Sequence, residues 1–369
     1  MRSLLTALLM LGSTCAIAAD NLVLVTIDGV RWQEVYRGLD NSLITEENTQ
    51  NRSQLLADFD APSAEQKRQK LMPFIWDTLA KQGTLLGNRD LGSHMQVANP
   101  WYFSYPGYNE IITGQVDEGI NSNDKIANPH ISFIEWLNNQ DKNKGNNAAF
   151  ASWDVFPYIF NEPRSKLHVN AGFMPEKTQD SDTQLLNTLQ EQIPSPWESV
   201  RLDAFTYHFA KNYIQSQQPN VLFLGLGEPD DFAHNGNYEQ YIRGIHRSDK
   251  LIADLWNTLQ AMPQYRDNTV VLITTDHGRG SHLADWRHHS SKRAIEKKYP
   301  AMLEQFPKGI EGSEHTWLAA IGPNIAANGE YKASDNTNAQ IAATALMLLG
   351  KEPSQYSDKV APAINEVLK

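Results

Sequence analysis

With 369 residues, 41% of them hydrophobic and 20% charged, the chain is long enough for one large α/β domain or two small ones, and too apolar for large-scale disorder. A net charge of −11 excludes a general nucleic-acid surface, since a phosphate backbone needs a basic partner. Any anionic substrate must then be drawn in by a local positive feature, and bound cations would supply one.

The first eighteen residues carry Arg2, an apolar run from Leu4 to Leu11, and Ala16-Ile17-Ala18. This is the pattern of a cleaved secretory signal, so the mature chain is expected to begin at Ala19 and to be periplasmic or secreted. The only cysteine, Cys15, lies inside this segment, which leaves the mature chain no disulfide and no thiol chemistry. A lipoprotein reading of Cys15 is disfavoured by Gly12, which stands where a larger aliphatic residue is usual. No later run approaches the roughly 20 apolar residues that span a bilayer.

Asn21 to Ile27 is a continuous β-branched run, read as a strand buried on both faces, and it stops at Asp28-Gly29. Functional groups collect at the carboxyl ends of strands in open parallel sheets. Residues 38–70 are polar without a sustained period and are expected to form an insertion. Leu71 to Lys81 has helical spacing. Ser104 then precedes Pro106-Gly107 and an apolar run, an arrangement that sets a hydroxyl at a helix N-terminus, where free N–H groups favour an anion. Trp101, Tyr102, Phe103 and Tyr105 surround the serine and are either core or an apolar wall for a substrate. The turn-rich loop after it holds two amides, Asn121 and Asn123.

A helix is predicted over Ile131–Asn139, a strand over Ala148–Trp153, and an irregular cap over 161–198. Helix Ala204–Gln215 leads into a second buried strand, Asn220 to Leu226. Glu228-Pro229-Asp230-Asp231-Phe232-Ala233-His234 follows at once. Carboxylate and imidazole four residues apart suit zinc better than calcium or magnesium. A long amphipathic helix from Tyr238 to Met262 comes next, with His246 read as a core histidine. A third buried strand, Thr269 to Thr275, ends in Asp276-His277-Gly278. A basic, His-rich loop with His288 and His289 is expected to be mostly solvated. Glu314-His315 then leads into the last strand, Trp317 to Ile321, closed by Gly322-Pro323, and Ala339–Leu349 is a final helix.

Three buried strands therefore end in Asp, Asp-x3-His or Asp-His, and a serine opens the helix between the first and second. This set resembles the alkaline phosphatase superfamily, in particular its nucleotide pyrophosphatase/phosphodiesterase-like branch, over roughly Asn21 to Pro323. The resemblance implies a three-layer α/β/α sandwich with a mostly parallel central sheet. It implies one catalytic domain, 19–369, with insertions near 38–70 and 161–198. It also implies two zinc ions, or other divalent metals. One would be held by Asp28, Ser104, Asp276 and His277. The other would be held by Asp230, His234 and a later histidine. His315 fits that last place, although Thr316 and Trp317 follow where a glycine is common, which keeps His288 and His289 as candidates. Asn123 falls on the family's oxyanion amide.

The implied reaction is hydrolysis of a small-molecule phosphoric ester through a phosphoserine on Ser104, with mono- and diester substrates both open. Arg164, Arg279 and Arg287 are the cations available to offset a dianion, since Trp153-Asp154 stands where the monoesterase branch carries basic residues. A sulfatase of the same fold, a phosphomutase and a non-catalytic exported binding protein are the alternatives. Oligomeric state is left open.

Overall fold

The computed structural model describes residues 18–140, 146–178, 180–333 and 335–369. The expected signal segment, apart from Ala18, and Cys15 with it lie outside the described residues. Among the described residues ten strands are formed: β1 Asn21–Ile27, β2 Thr84–Leu86, β3 Met95–Gln96, β4 Asn147–Ala151, β5 His168–Ala171, β6 Val221–Leu226, β7 Thr269–Thr274, β8 Leu318–Ile321, β9 Gly329–Glu330 and β10 Asn336–Thr337. Eight of them make one sheet in the order β5-β4-β6-β1-β7-β8-β2-β9, and β3 pairs with β10 separately. Only β8 runs against its neighbours in the main sheet.

Strand alternation divides the apolar residues between two cores. On β1, Val23, Val25 and Ile27 face one side with Leu222, Leu224, Val271 and Ile273, and pack on helices 203–217 and 238–261. Leu22 and Leu24 face the other with Phe223, Val270 and Leu272, and pack on helices 104–113 and 341–348. A strand needed on both faces cannot show a polar side, which is why these runs read as unbroken apolar sequence. The result is the α/β/α sandwich with a mostly parallel sheet.

The polar stretch 38–70 holds two helices, Arg52–Phe59 and Ala64–Leu71. The expected helix 71–81 is interrupted instead. Pro73 ends the preceding helix, and a π-type turn over Ile75–Leu79 carries the chain to Gly83. Residues 161–198 supply the edge strand β5 and helix Ser181–Gln192. His246 donates from Nδ1 to the Leu71 carbonyl at 2.7 Å and packs edge-on against Phe59. Among the described residues no helix is long and apolar enough to cross a membrane.

Candidate metal centre

β6, β1 and β7 lie side by side, so their carboxyl ends deliver Asp230, Asp28 and Asp276-His277 to one place. Two glycines permit the close approach. Gly29 adopts φ +61°, and a Cβ there would overlap the Asp230 carboxylate. Gly107 lies in the first turn of helix Ser104–Thr113, and a Cβ on it would meet the Asp276 carbonyl oxygen at 2.5 Å. Pro106-Gly107, a turn-forming pair by residue type, lies inside this helix. It is the part of the helix that presses on the end of β7 and sets Ser104 Oγ 3.3 Å from His277 Nε2.

Around that point two groups of donors converge and share His277: Asp28, Asp276 and His277, and Asp230, His277 and His289. His277 Nδ1 donates to the Gly278 carbonyl at 2.9 Å, which fixes the tautomer and leaves the Nε2 lone pair facing inward. That nitrogen lies 3.5 Å from Asp28 Oδ1, 3.4 Å from Asp276 Oδ2 and 4.0 Å from Asp230 Oδ1. His289 is held the same way, Nδ1 donating to the Tyr102 carbonyl at 3.1 Å. Its ring stacks on His277, and its Nε2 lies 3.0 Å from His234 Nε2, itself 3.1 Å from Asp230 Oδ2.

The electrostatics are those of a site short of positive charge. Burial, reinforced by Asp276 and Asp230, pushes the Asp28 carboxyl well above the usual range, against a lowering hydrogen bond from Tyr108. Burial likewise raises Asp276, which His277 only partly offsets. Asp28 Oδ1 and Asp276 Oδ2 are buried with no hydrogen-bond partner. Burial also acts to raise Asp230, but Arg279 and His234 outweigh it and hold that carboxyl well below its ordinary value. Burial and the neighbouring His277 depress the His289 imidazole, keeping it neutral and able to donate a lone pair. Orphaned carboxylate oxygens beside inward-facing imidazole nitrogens are the donor set that divalent cations such as zinc take.

The remaining expected residues are placed as follows. Asn123 Oδ1 accepts from the Tyr105 N–H at 3.0 Å, so its amide sits at the serine helix N-terminus. His315 is turned toward Glu314, Nε2 to Oε1 3.2 Å, and belongs to neither group of converging donors, one of which includes His289. His288 faces the cleft without joining a donor group. Of the three arginines, Arg279 is fully buried, ion-paired to Asp230 and bonded to the Trp286 and Arg287 carbonyls. Arg164 is engaged by Glu135, and Arg287 reaches the His234 carbonyl. Lys125 pairs with Asp154 at 2.7 Å.

Tyr108 was not anticipated. Its hydroxyl donates to Asp28 Oδ2 at 2.8 Å, and its position one turn beyond Ser104 on the same helix face was the available signal. A cleft of about 530 Å³ opens over the centre, lined by Phe103, Asn123, His234 and His289 on the inner side. Of the four aromatics near the serine only Phe103 reaches it. Trp101 is buried beside Ala294, and the Tyr105 hydroxyl donates to the Ile126 carbonyl.

Residues 202–353 match the family model described as the Metalloenzyme superfamily. A stretch of 123 residues is 32% identical to a 2,3-bisphosphoglycerate-independent phosphoglycerate mutase of Gracilaria tenuistipitata var. liui, covering 31% of this chain and only 22% of that relative. The alkaline phosphatase PafA shares the fold with a TM-score of 0.60 at 13% identity, over 96% of this chain and 99% of that one. The phosphonate monoester hydrolase SpPMH from Silicibacter pomeroyi gives 0.57 at 13% identity, over 93% and 75%. The lipoteichoic acid synthase LtaP from Listeria monocytogenes gives 0.56 at 13%, over 95% and 76%. The chain thus shares the alkaline phosphatase-like fold over nearly its whole length, and the segment that matches the Metalloenzyme superfamily model carries Asp230, His234, Asp276, His277 and His289.

Proposed function

We propose that the protein is an exported phosphoric ester hydrolase that works with two divalent ions, zinc by the chemistry of the donors, and passes through a phosphoserine on Ser104. The observation that carries this reading is the convergence of two donor groups on His277, with Ser104 Oγ 3.3 Å away at a helix start. Asp28, Asp276, His277 and Ser104 would hold one ion, and Asp230, His234 and His289 the other. Bound there, the ions would lower the pKa of the attacking oxygen and neutralise charge on the leaving one.

The chain's own groups supply the rest. Ser104 gives up its hydroxyl proton to solvent and its Oγ forms a bond to phosphorus as the ester P–O bond breaks; the leaving alkoxide departs with the electron pair and takes a proton from water. Water then cleaves the P–Oγ bond and restores the serine. Asn123 has its oxygen engaged by the Tyr105 N–H, which leaves its Nδ2 to donate to an equatorial phosphoryl oxygen. Tyr108 and the Gly278 carbonyl fix the orientation of Asp28 and His277. The similar structures include a putative sulfatase as well as a phosphatase and a phosphonate hydrolase, so phosphorus as the reacting centre rests on the imidazole-rich donor set. The signal-like pattern of residues 1–18 supports a cleaved leader and export, and one sheet that draws its strands from Asn21 to Glu330 supports a single catalytic domain.

The test is hydrolysis of a matched pair of aryl phosphate mono- and diesters by the purified mature chain, with zinc added or chelated. Zinc-dependent turnover that Ser104→Ala abolishes, in a variant that keeps wild-type circular dichroism and zinc content, is the expected result. Full activity in Ser104→Ala overturns the phosphoserine mechanism.

A further inference from the structure

The outer part of the cleft is built by a segment that the chemistry above does not use. Helix Lys292–Lys298 and the turn Pro300–Leu303 carry their own small core of Ile295, Phe306 and Ile310, with Met302 packed against it. The unit is fastened to the loop that leads into the nucleophile. Ser291 caps the helix, its N–H donates to the Trp101 carbonyl at 3.0 Å, and its hydroxyl donates to the Pro100 carbonyl at 2.6 Å. Ala294 closes a cluster with Trp101 and Phe103. A wall tied this way holds a fixed place relative to Ser104.

Four cations lie on this helix, and three are occupied. Lys292 pairs with Glu296 at 3.7 Å. Arg293 pairs with Glu118 at 2.7 Å and stands over the Trp101 ring, and Lys297 stands over the same ring at 4.9 Å. Lys298 has no ion-pair or ring partner among the described residues, and it lines the cleft beside Tyr299 and Met302. Tyr299 is 58% exposed, a large ring left open to solvent at the cleft mouth. The loop after the serine helix also lines the cleft, with Asn121, Ser122 and Asp124. In a chain of net charge −11, an unpaired ammonium next to an exposed aromatic ring and a thioether is a specific combination. It offers a flat apolar surface and one anion contact in the cleft that His234 and His289 also line.

Building on the hydrolase reading, we infer that Lys298, Tyr299 and Met302 form a leaving-group subsite that selects esters whose leaving group is a ring bearing a second negative charge. Lys298 would pair with that charge, and Tyr299 and Met302 would cover the ring.

The test uses phenyl phosphate and 4-carboxyphenyl phosphate with the zinc-loaded chain, reading phosphate release. The wild type is expected to show the lower KM for the carboxylated ester. Lys298→Gln should raise that KM about fivefold, the value of an exposed ion pair near 1 kcal/mol, and leave the phenyl phosphate KM and both kcat values unchanged. Tyr299→Ala should raise KM for both aryl esters and not for ethyl phosphate. Equal effects of Lys298→Gln on both aryl esters, or none on either, overturn the subsite.

Calorimetry on zinc-loaded Ser104→Ala separates this from failure of the hydrolase reading. A preference for the carboxylated ester that Lys298→Gln removes upholds the subsite even where no ester is turned over. Equal binding of the two esters, in a chain that hydrolyses both, overturns the subsite alone.

Discussion

Two sets of carboxylates are buried in this protein, and they differ in what their oxygens already hold. On the flanks, Asp249 accepts from the Phe74 and Ile75 N–H groups at 2.9 and 3.1 Å, where the chain restarts after Pro73. Asp203 accepts from Gly227 and Glu228 N–H and from the Ser152 hydroxyl. Glu110 gathers the N–H groups of Ala98 and Asn99 and the Asn99 amide. At the centre of the carboxyl edge, Asp28 and Asp276 each keep a buried oxygen with no partner, and they face each other's charge. The flank carboxylates are satisfied by the fold and act as clips for chain ends. Each of the central pair has one oxygen held, by the Tyr108 hydroxyl and by the Gly29 N–H, and one that nothing in the chain satisfies, so the pair marks where something else binds. Burial alone would not have separated the two sets, because both are nearly inaccessible and both have raised pKa values.

The comparison breaks first at Asp276. Asp276→Asn should cut turnover by about a thousandfold, because an ion held off its place forfeits several kcal/mol of charge stabilisation. In chelator the same variant should melt at or above the wild-type temperature, since it removes a buried charge that repels Asp28. A melting temperature several degrees below wild type in chelator would put Asp276 with the structural clips.

Asp249→Ala should do the reverse. It strands two buried N–H groups at a helix start, which costs about 2–4 kcal/mol by denaturant unfolding at neutral pH. The zinc content and the KM of the folded fraction should match wild type. Loss of zinc without loss of stability would reverse the two roles.

Much of the central set was legible in the sequence because each donor follows a strand whose two-sided burial forces an unbroken apolar run. Val221 to Leu226 and Thr269 to Thr274 announce their own ends, and the donors come next. The choice among histidines was not legible. His289 and His315 both precede β8 in the chain, and spacing cannot rank them. What decides is a long-range clamp. Arg279 folds the loop back by binding the Trp286 and Arg287 carbonyls, which carries His289 onto His277, while Glu314 turns the His315 ring aside. The helices inside 38–70 were missed for a different reason. They bury only Leu55, Phe59 and Leu71, too few positions to set up a period, although Asn51 and Ser63 stand as their N-caps.

The smallest expected effect separates a clip from a donor by pH. Burial raises the Asp249 carboxyl from 3.8 to about 7, against the lowering of its two N–H bonds. Between those values the folded chain holds a proton that the unfolded chain has released. Raising the pH therefore draws on the folded state, and this contribution, fully present below about pH 4, is lost as pH rises through 7. Asp249→Asn cannot ionise and keeps one acceptor oxygen, so its melting temperature should fall less than that of the wild type between pH 5 and pH 8, both measured in chelator. The central carboxylates titrate in both proteins and cancel in the difference. Parallel curves for the two proteins would mean that Asp249 is ionised throughout this range, its two N–H bonds outweighing its burial.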